Sequence, residues 1–260
     1  VSQKIQSVIR SIDVLIALRK GARTLTELSK DTGLSVSTTL RMLASLSHEE
    51  MATKIGNQYV LGPGVFTLWQ GWLEGLGLMA GGLTPVLDEL RDETGETVAL
   101  HVAVGAERIC IAESQSEQPL RLTSYPGSVA ALHLGSAGKV LLAFMDAEER
   151  ERILGLLEAR PHEVSSGGIS NVAALREHLA EVRERGWAMS VGERITDAAA
   201  ISVPVRTERL MAALSILGPS ARWTRDRRLE ALPSLQRTAA VVEDVLAASD
   251  EAGQTATERA

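Results

Sequence analysis

The sequence predicts an α+β protein in two parts, a small and mostly helical head followed by an antiparallel sheet flanked by helices. Three observations lead there. Apolar Leu25, Leu28, Leu34, Leu40, Leu43 and Leu46 recur at helical spacing from Thr24 to Leu46, and Gly33 interrupts them, which makes two short helices joined by a tight turn. Ala52 to Ile55 and Gln58 to Leu61 flank Gly56-Asn57 and read as a β-hairpin. From Pro85 onward, strand-like runs stand before and after a helical middle.

The head begins with Gln3 to Leu18, where Ile5, Val8, Ile9, Ile12, Leu15 and Ile16 make one amphipathic helix that Gly21 ends. The first helix of the pair opens at Thr24 or Thr26, and from Thr24 the acid three places on is Glu27, a capping-box pattern. The second helix starts at Ser35. Its early residues Val36, Ser37, Thr38, Thr39, Arg41 and Met42 put short hydroxyls and one guanidinium at a helix N-terminus. Hydroxyls there donate to phosphates, the helix dipole adds a positive end, and Arg41 is long enough to reach a guanine edge or a phosphate. The alternative is that these hydroxyls are only solvated, although three of them weaken a helix. With its hairpin, the unit reads as a winged helix-turn-helix that binds double-stranded DNA through Thr26 and Ser35 to Met42, with Lys54, Asn57 and Gln58 on the wing touching backbone or minor groove. A purely structural hairpin is the alternative for those three.

Gly62-Pro63-Gly64 is the sharp breaker, so the DNA-binding domain is set at residues 3–63 and a linker helix at 64–83. Val65 to Met79 carries a helical stripe with Trp69 and Trp72, a candidate contact between two copies of the chain, with packing inside its own chain as the alternative. Residues 84–248 form the second domain. It is read as a helix from Val86 to Gly95, strands at Thr97–Val104, Arg108–Ala112 and Leu120–Thr123, and helices at Leu141–Leu157 and Val172–Arg185. Strands at Ile201–Val205 and Leu210–Leu217 and a long helix at Arg225–Ala248 complete it. The polar end, 249–260, is expected to be disordered.

Composition bounds the function. The net charge of −6 would repel nucleic acid, but residues 1–63 hold +3 and the remainder −9, the split expected of a DNA reader joined to an acidic partner domain. The single cysteine, Cys110, lies in an apolar strand; it permits no intrachain disulfide and points to a reducing, cytoplasmic setting. Val1 to Leu18 carries Lys4, Arg10 and Asp13 and does not read as a secretory signal. Val65 to Met79 is too short and, with Glu74, too polar to span a bilayer, so no membrane partner is expected.

Catalytic and cofactor patterns fail one by one. Gly135-Ser-Ala-Gly-Lys139 lacks both the first glycine of a phosphate loop, where His133 stands, and the hydroxyl after the lysine, where Val140 stands. The five histidines fall at no metal-ligand spacing, and neither a metal nor a cofactor is expected. A metabolite-binding enzyme using His133, Ser136 and Lys139 is the second reading, weakened because no neighbouring carboxylate orients the imidazole. Leu132 to Lys139 reads better as a cavity wall, whose small residues let backbone approach a ligand and whose helix-start amides bind a carboxylate or other anion. Close packing alone is the alternative.

Taken jointly, Gly33-Leu-Ser-Val-Ser-Thr-Thr-Leu-Arg-Met-Leu43, Tyr59-Val-Leu-Gly-Pro63, Leu132-His-Leu-Gly-Ser-Ala-Gly-Lys-Val-Leu-Leu-Ala143, Arg185-Gly-Trp187 and Ala212-Ala-Leu-Ser-Ile-Leu-Gly-Pro219 resemble the IclR family of bacterial transcriptional regulators, from about Gln3 to Ala247. The resemblance implies a repressor more readily than an activator, with a C-terminal GAF-like domain that binds a small organic effector, acting as a homodimer or tetramer on a palindromic operator. The family's pocket positions fall on Ser136 and Ala137, around Ser190 and Val191, on Ala198 and Ala200, and on Ser215 and Leu217, with Leu122, Ser124 and Val129 completing the wall. The sequence departs from small-acid binders, since an aspartate, a cysteine and a second serine stand here as Ser190 or Val191, Ala200 and Leu217. That exchange implies a larger, more apolar or aromatic effector.

Overall fold

A computed structural model describes residues 5–75, 82–159, 171–208 and 210–257, and the chain divides into two compact units between Gly75 and Leu76. In the first unit, α1 (Gln6–Leu18), β1 (Arg23–Thr24), α2 (Leu25–Thr32), α3 (Val36–His48), β2 (Ala52–Ile55), β3 (Gln58–Leu61) and α4 (Gly64–Gly75) follow in order. The capping box forms as the sequence predicts: Glu27 N–H donates to Thr24 Oγ1 at 3.3 Å and Thr24 N–H donates to Glu27 Oε2 at 2.7 Å. Gly33 ends α2 in the left-handed region at φ 67°. Val14, Leu18, Leu28, Leu43, Leu46 and Tyr59 close one core under the three helices and the wing. Gly56 takes φ 62° in the two-residue turn that sets Ile55 opposite Gln58, as a primed hairpin turn requires. β1, too short to show a period, pairs with β3 and makes the order β1-β3-β2. The connector helix clusters with this first unit, so the division falls beyond Pro63; Leu76 to Met79 lie outside the described residues.

In the second unit, α5 (Leu83–Thr94), β4 (Thr97–Val104), β5 (Glu107–Ser114), β6 (Val129–Ala131), α6 (Gly135–Phe144), α7 (Ala147–Glu158), α8 (Val172–Arg185), β7 (Ala188–Val191), β8 (Ala198–Arg206), β9 (Met211–Pro219), α9 (Arg225–Glu230) and α10 (Leu232–Thr257) surround one sheet. Its order is β6-β5-β4-β9-β8-β7, antiparallel at every junction. Alternation along β9 divides two helical layers. Ala213 joins the core of α6, α7 and α8, while Ala212 and Leu214 face the layer of α5 and α10.

Several boundaries differ from those read in the sequence, each for a local reason. Leu120–Thr123 forms no strand, because Pro119 and Pro126 bracket the segment and its Leu122 carbonyl is taken by Thr97 Oγ1 at 2.6 Å. The edge strands β6 and β7 were not anticipated. The helix expected over Leu141–Leu157 is two, because Asp146 caps a new helix by accepting from Glu148 and Glu149 N–H. The final helix breaks at Ala231, just before Pro233, and α10 runs on to Thr257 where a disordered tail from Ser249 was expected. Residues 258–260 of that tail lie outside the described residues.

Candidate functional site

Two surfaces carry the chemistry, one in each unit. In the head, Ser35 caps α3 with its own side chain, accepting from Thr38 N–H at 3.2 Å, and its Oγ sits 3.1 Å from Ser37 Oγ and 2.9 Å from Thr38 Oγ1. Val36, Ser37 and Arg41 are exposed on α3, Thr26 is exposed on α2, and Lys54, Asn57 and Gln58 are exposed on the wing. Thr38 is half-buried. Two predicted contacts belong to the core instead. Thr39 is fully buried and donates to Ser35 O at 3.0 Å, and Met42 is half-buried with its Sδ accepting from Ser11 Oγ at 3.1 Å. The reason is helical spacing: Thr39, Leu43 and Leu46 share the inward face, and Met42 lies beside it. Leu40, one of the apolar residues at helical spacing, is 47% exposed beside Arg41.

In the second unit, the α6 face of the sheet forms the floor of a cavity of about 530 Å³, including the part open to solvent. Period-two alternation puts His101 of β4, Ser215 and Leu217 of β9, and Ala198 and Ala200 of β8 on that floor. The start of α6 supplies Gly135, Ser136 and Ala137, the end of β7 supplies Ser190, and Leu122 and Ser124 come from the segment that precedes β6. Nine of the eleven effector positions expected from the sequence therefore meet here. Val191 does not line the cavity, since its position on β7 turns it outward and leaves it 50% exposed. Val129 lines a smaller space of about 190 Å³ that shares His101, Arg108, Ser124 and Arg194 with the main cavity.

The polar bonds within the wall are long-range. Ser136 Oγ, Ser202 Oγ and Ser215 Oγ form a buried chain with both separations 2.7 Å. Ser136 N–H donates to Ser190 Oγ at 3.1 Å, and Gly135 N–H donates to Glu193 Oε2 at 2.8 Å. The other Glu193 oxygen pairs with Lys139 Nζ, both side chains being almost wholly buried. Arg228, buried, donates to Ser190 O at 3.0 Å and so fixes the end of β7. Burial, with Arg108 and Arg194 nearby, pushes His101 down to about 3, so its ring is neutral at physiological pH; its Nε2 lies 2.9 Å from Ser124 Oγ. Burial and then Arg194 lower Arg108 to about 10, which leaves it charged. Burial raises the Cys110 thiol to about 12, an inert group packed beside Ala99 and Leu217 on the cavity face of the sheet.

Sequence reasoning missed His101, Arg108, Glu193, Arg194, Ile195 and Ala199, which line the cavity together with Gly135 of the wall read at Leu132 to Lys139. For Arg108 a signal existed: it shares the buried face of β5 with Cys110, and a charge on the inward face of a strand marks a site. For Glu193 and Arg194 in the β7–β8 loop there was none. The enzyme reading loses its lysine, because Lys139 is committed to Glu193, while Ser136 Oγ bonds Ser202 Oγ. Among the described residues no group of three His, Cys, Asp or Glu could hold a metal ion, and no helix is long and apolar enough to cross a membrane.

Comparison with known proteins adds the following. The model of the IclR helix-turn-helix domain matches residues 7–56, and that of the bacterial transcriptional regulator IclR C-terminal domain matches residues 78–244. The probable transcriptional regulator SauR of Cupriavidus necator is 34% identical over 59% of this chain and 61% of its own length, so the match spans under two thirds of that relative. The acetate operon repressor of Salmonella typhimurium is 29% identical over 88% of this chain and 86% of its own. In structure, the chain is similar to an IclR homolog from Microbacterium hydrocarbonoxydans complexed with 4-hydroxybenzoate, with TM-score 0.69 and 23% identity over 94% of this chain and 100% of that one.

Proposed function

Because the chain belongs to the IclR family of bacterial transcriptional regulators, we propose that it is a cytoplasmic repressor whose operator affinity is set by a small organic effector held in the second unit. The observation that carries this reading is the pairing, in one chain, of an exposed hydroxyl-and-arginine face on α3 with a cavity of about 530 Å³ floored by a sheet. Ser35, Ser37 and Thr38 meet phosphates at the start of α3, Arg41 reaches a base edge or phosphate, and Thr26, Lys54, Asn57 and Gln58 flank them. Leu122, Ala200 and Leu217 give the cavity an apolar wall, which supports an aromatic or apolar effector, and the 4-hydroxybenzoate held by the Microbacterium homolog supports the same class.

The chain acts as a homodimer or tetramer, each dimer presenting two copies of α3 to successive major-groove faces. The support is α4, which buries none of its residues in the single chain and leaves Phe66 62% and Leu68 63% exposed. The deciding experiment is a gel shift with DNA upstream of the chain's own gene, run with and without a panel of small acids and aromatics. Salt-sensitive, sequence-preferring binding that one panel member weakens is expected. Binding without sequence preference overturns the reading. Ala200→Trp should remove the effector response and leave DNA binding intact, and an intact response moves the site elsewhere. The chain is not an enzyme: in a turnover assay on the same panel, wild type and His133→Ala should be equally inert.

A further inference from the structure

The outward face of α3 is not uniformly polar. Ser37, Leu40, Arg41 and Ala44 stand at i, i+3, i+4 and i+7, all exposed, and Val36 joins them in the first turn. Two ridges result. Ser37 and Arg41 make a polar one, and Val36, Leu40 and Ala44, spaced by four, make an apolar one beside it. Val36 is 50% and Leu40 47% exposed. None of the three belongs to the core of the head, which α3 joins through Met42, Leu43 and Leu46. Helix propensity does not account for them either, since β-branched Val36 is a weaker helix former than the Lys or Glu that a solvated face carries.

An apolar ridge on this helix suits one kind of groove edge. In the major groove an A·T pair presents the thymine C5 methyl, whereas the G·C edge is read through donors and acceptors. Set against Val36 or Leu40, a methyl gains apolar contact, while a cytosine amine or a guanine oxygen loses water and finds no partner. Attraction to one pair and rejection of the other therefore act in the same direction. Val36 and Leu40 are about 6 Å apart along the helix axis, against ~3.4 Å per base step, so they meet methyls on different base pairs. Continuity fixes the occupant. The ridge shares the first two turns of α3 with Ser35, Ser37 and Arg41, so a duplex cannot meet those groups without covering the ridge, and a second protein seated there would block the groove contact.

We propose that Val36 and Leu40 are specificity-determining residues that read thymine methyls in the major groove, so that the operator carries A·T pairs where these two side chains lie. This rests on the reading of α3 as the helix that enters the groove, and adds to it which base pairs the helix selects. Arg41, on the neighbouring ridge, is left for a guanine edge or a phosphate.

The test uses deoxyuridine, which keeps the hydrogen-bonding edge of thymidine and lacks only its C5 methyl. Duplexes are selected from a randomised pool by binding to the full chain, and each thymine of the best-bound duplex is then replaced in turn, with affinities read by gel shift. Replacement at two or more thymines should weaken binding ~3- to 5-fold each, the worth of one buried methyl. Leu40→Ala should shrink the effect at one of them to within ~1.5-fold and leave the other, and Val36→Ala should do the reverse. Both positions are exposed and alanine is the better helix former, so both variants fold. A sequence-preferring duplex in which no replacement weakens binding by more than ~1.5-fold would overturn the proposal and leave α3 a DNA reader. So would a methyl effect that survives in both variants, because another group then meets the methyl. If Leu40→Ala weakens thymine and uracil duplexes equally and lowers the molecular mass in sedimentation, the ridge joins two copies of the chain and the proposal falls. A pool that yields no preferred sequence removes the DNA reading itself.

Discussion

The start of α3 and the start of α6 are both helix N-termini at the centre of a site, yet they are finished in opposite ways. At α3 the cap is local: Ser35 accepts from Thr38 N–H three residues on, and the hydroxyls around it face outward. At α6 no side chain of its own segment caps the helix, since Leu134 stands at the N-cap; Gly135 and Ser136 are instead satisfied by Glu193 and Ser190, 58 and 54 residues away. The first terminus keeps polar groups available for a partner that comes from outside. The second spends them inside the fold, which fixes the β7–β8 loop that carries Glu193 against the start of α6. A helix end invites an anion only where the chain has not already supplied one.

The largest way to break this comparison is to unbalance the buried cap of α6. Lys139→Met leaves the Glu193 carboxylate buried without its counter-ion, and a loss of about 3–5 kcal/mol of stability is expected, the range for breaking such a pair from one side. Denaturant unfolding of the full chain measures it. Restoring most of the loss by adding Glu193→Gln would locate the cost in the orphaned charge and not in lost packing. A loss below about 1 kcal/mol would mean that the pair is solvated and that the terminus is open after all.

The next concerns the ring beside the two arginines. His101 titrates at about 3 in the folded chain because it is buried and faces Arg108 and Arg194, whereas the unfolded chain titrates near its ordinary value of 6.5. Between those values the unfolded state binds more protons, so stability falls as pH falls, by about 3 kcal/mol on reaching pH 4. Glu113, whose carboxyl burial raises, contributes with the opposite sign, so the comparison must be against His101→Gln, in which the acid-side slope should flatten. Equal slopes in the two proteins would show that the ring is not shielded from solvent.

These two effects arise where the sequence was hardest to read, and the reason is physical. Thr24 with Glu27, Gly33, Ser35 and the Gly56-Asn57 turn act within a few residues, so the head was legible almost element by element. In the second unit α8 and β4 were legible because each carries a clean period and α8 ends at a left-handed glycine. Leu120–Thr123 was misread because an alternating pattern does not reveal that its carbonyl and its neighbours bond across the fold to Thr97 and Glu113. Most cavity positions came from the resemblance. Arg108 and His101 were recoverable from strand alternation alone, but Glu193 and Arg194 sit in a loop with no period, placed by contacts more than fifty residues distant. Thr39 failed for the converse reason, since the chemistry of a hydroxyl was weighed above the helical phase that buries it.

On the outward-facing terminus the expected effects are smaller and fall on binding before folding. Arg41→Ala removes an exposed guanidinium and should weaken operator binding by ~1–3 kcal/mol if it reads a base, with relaxed preference at one position, or lower the salt slope by about one if it meets a phosphate. Gel shifts at several salt concentrations separate the two. Unchanged affinity and unchanged preference would remove Arg41 from the interface.

The smallest effect tests the local cap itself. Ser35→Ala deletes the acceptor of the Thr38 N–H and also the hydroxyl that holds Ser37 and Thr38 in place, so a stability loss of about 1 kcal/mol is expected. Ser35→Asp restores the cap, and as an N-cap it should recover that stability. It also puts a negative charge where a phosphate would approach, so it should bind operator worse than Ser35→Ala does. The pair of variants therefore moves stability and DNA affinity in opposite directions at one position. At the start of α6 no substitution can do this, because there the cap comes from across the fold. If Ser35→Asp instead binds operator as well as wild type, phosphates do not approach this terminus, and the outward hydroxyls of α3 serve only to hold the helix.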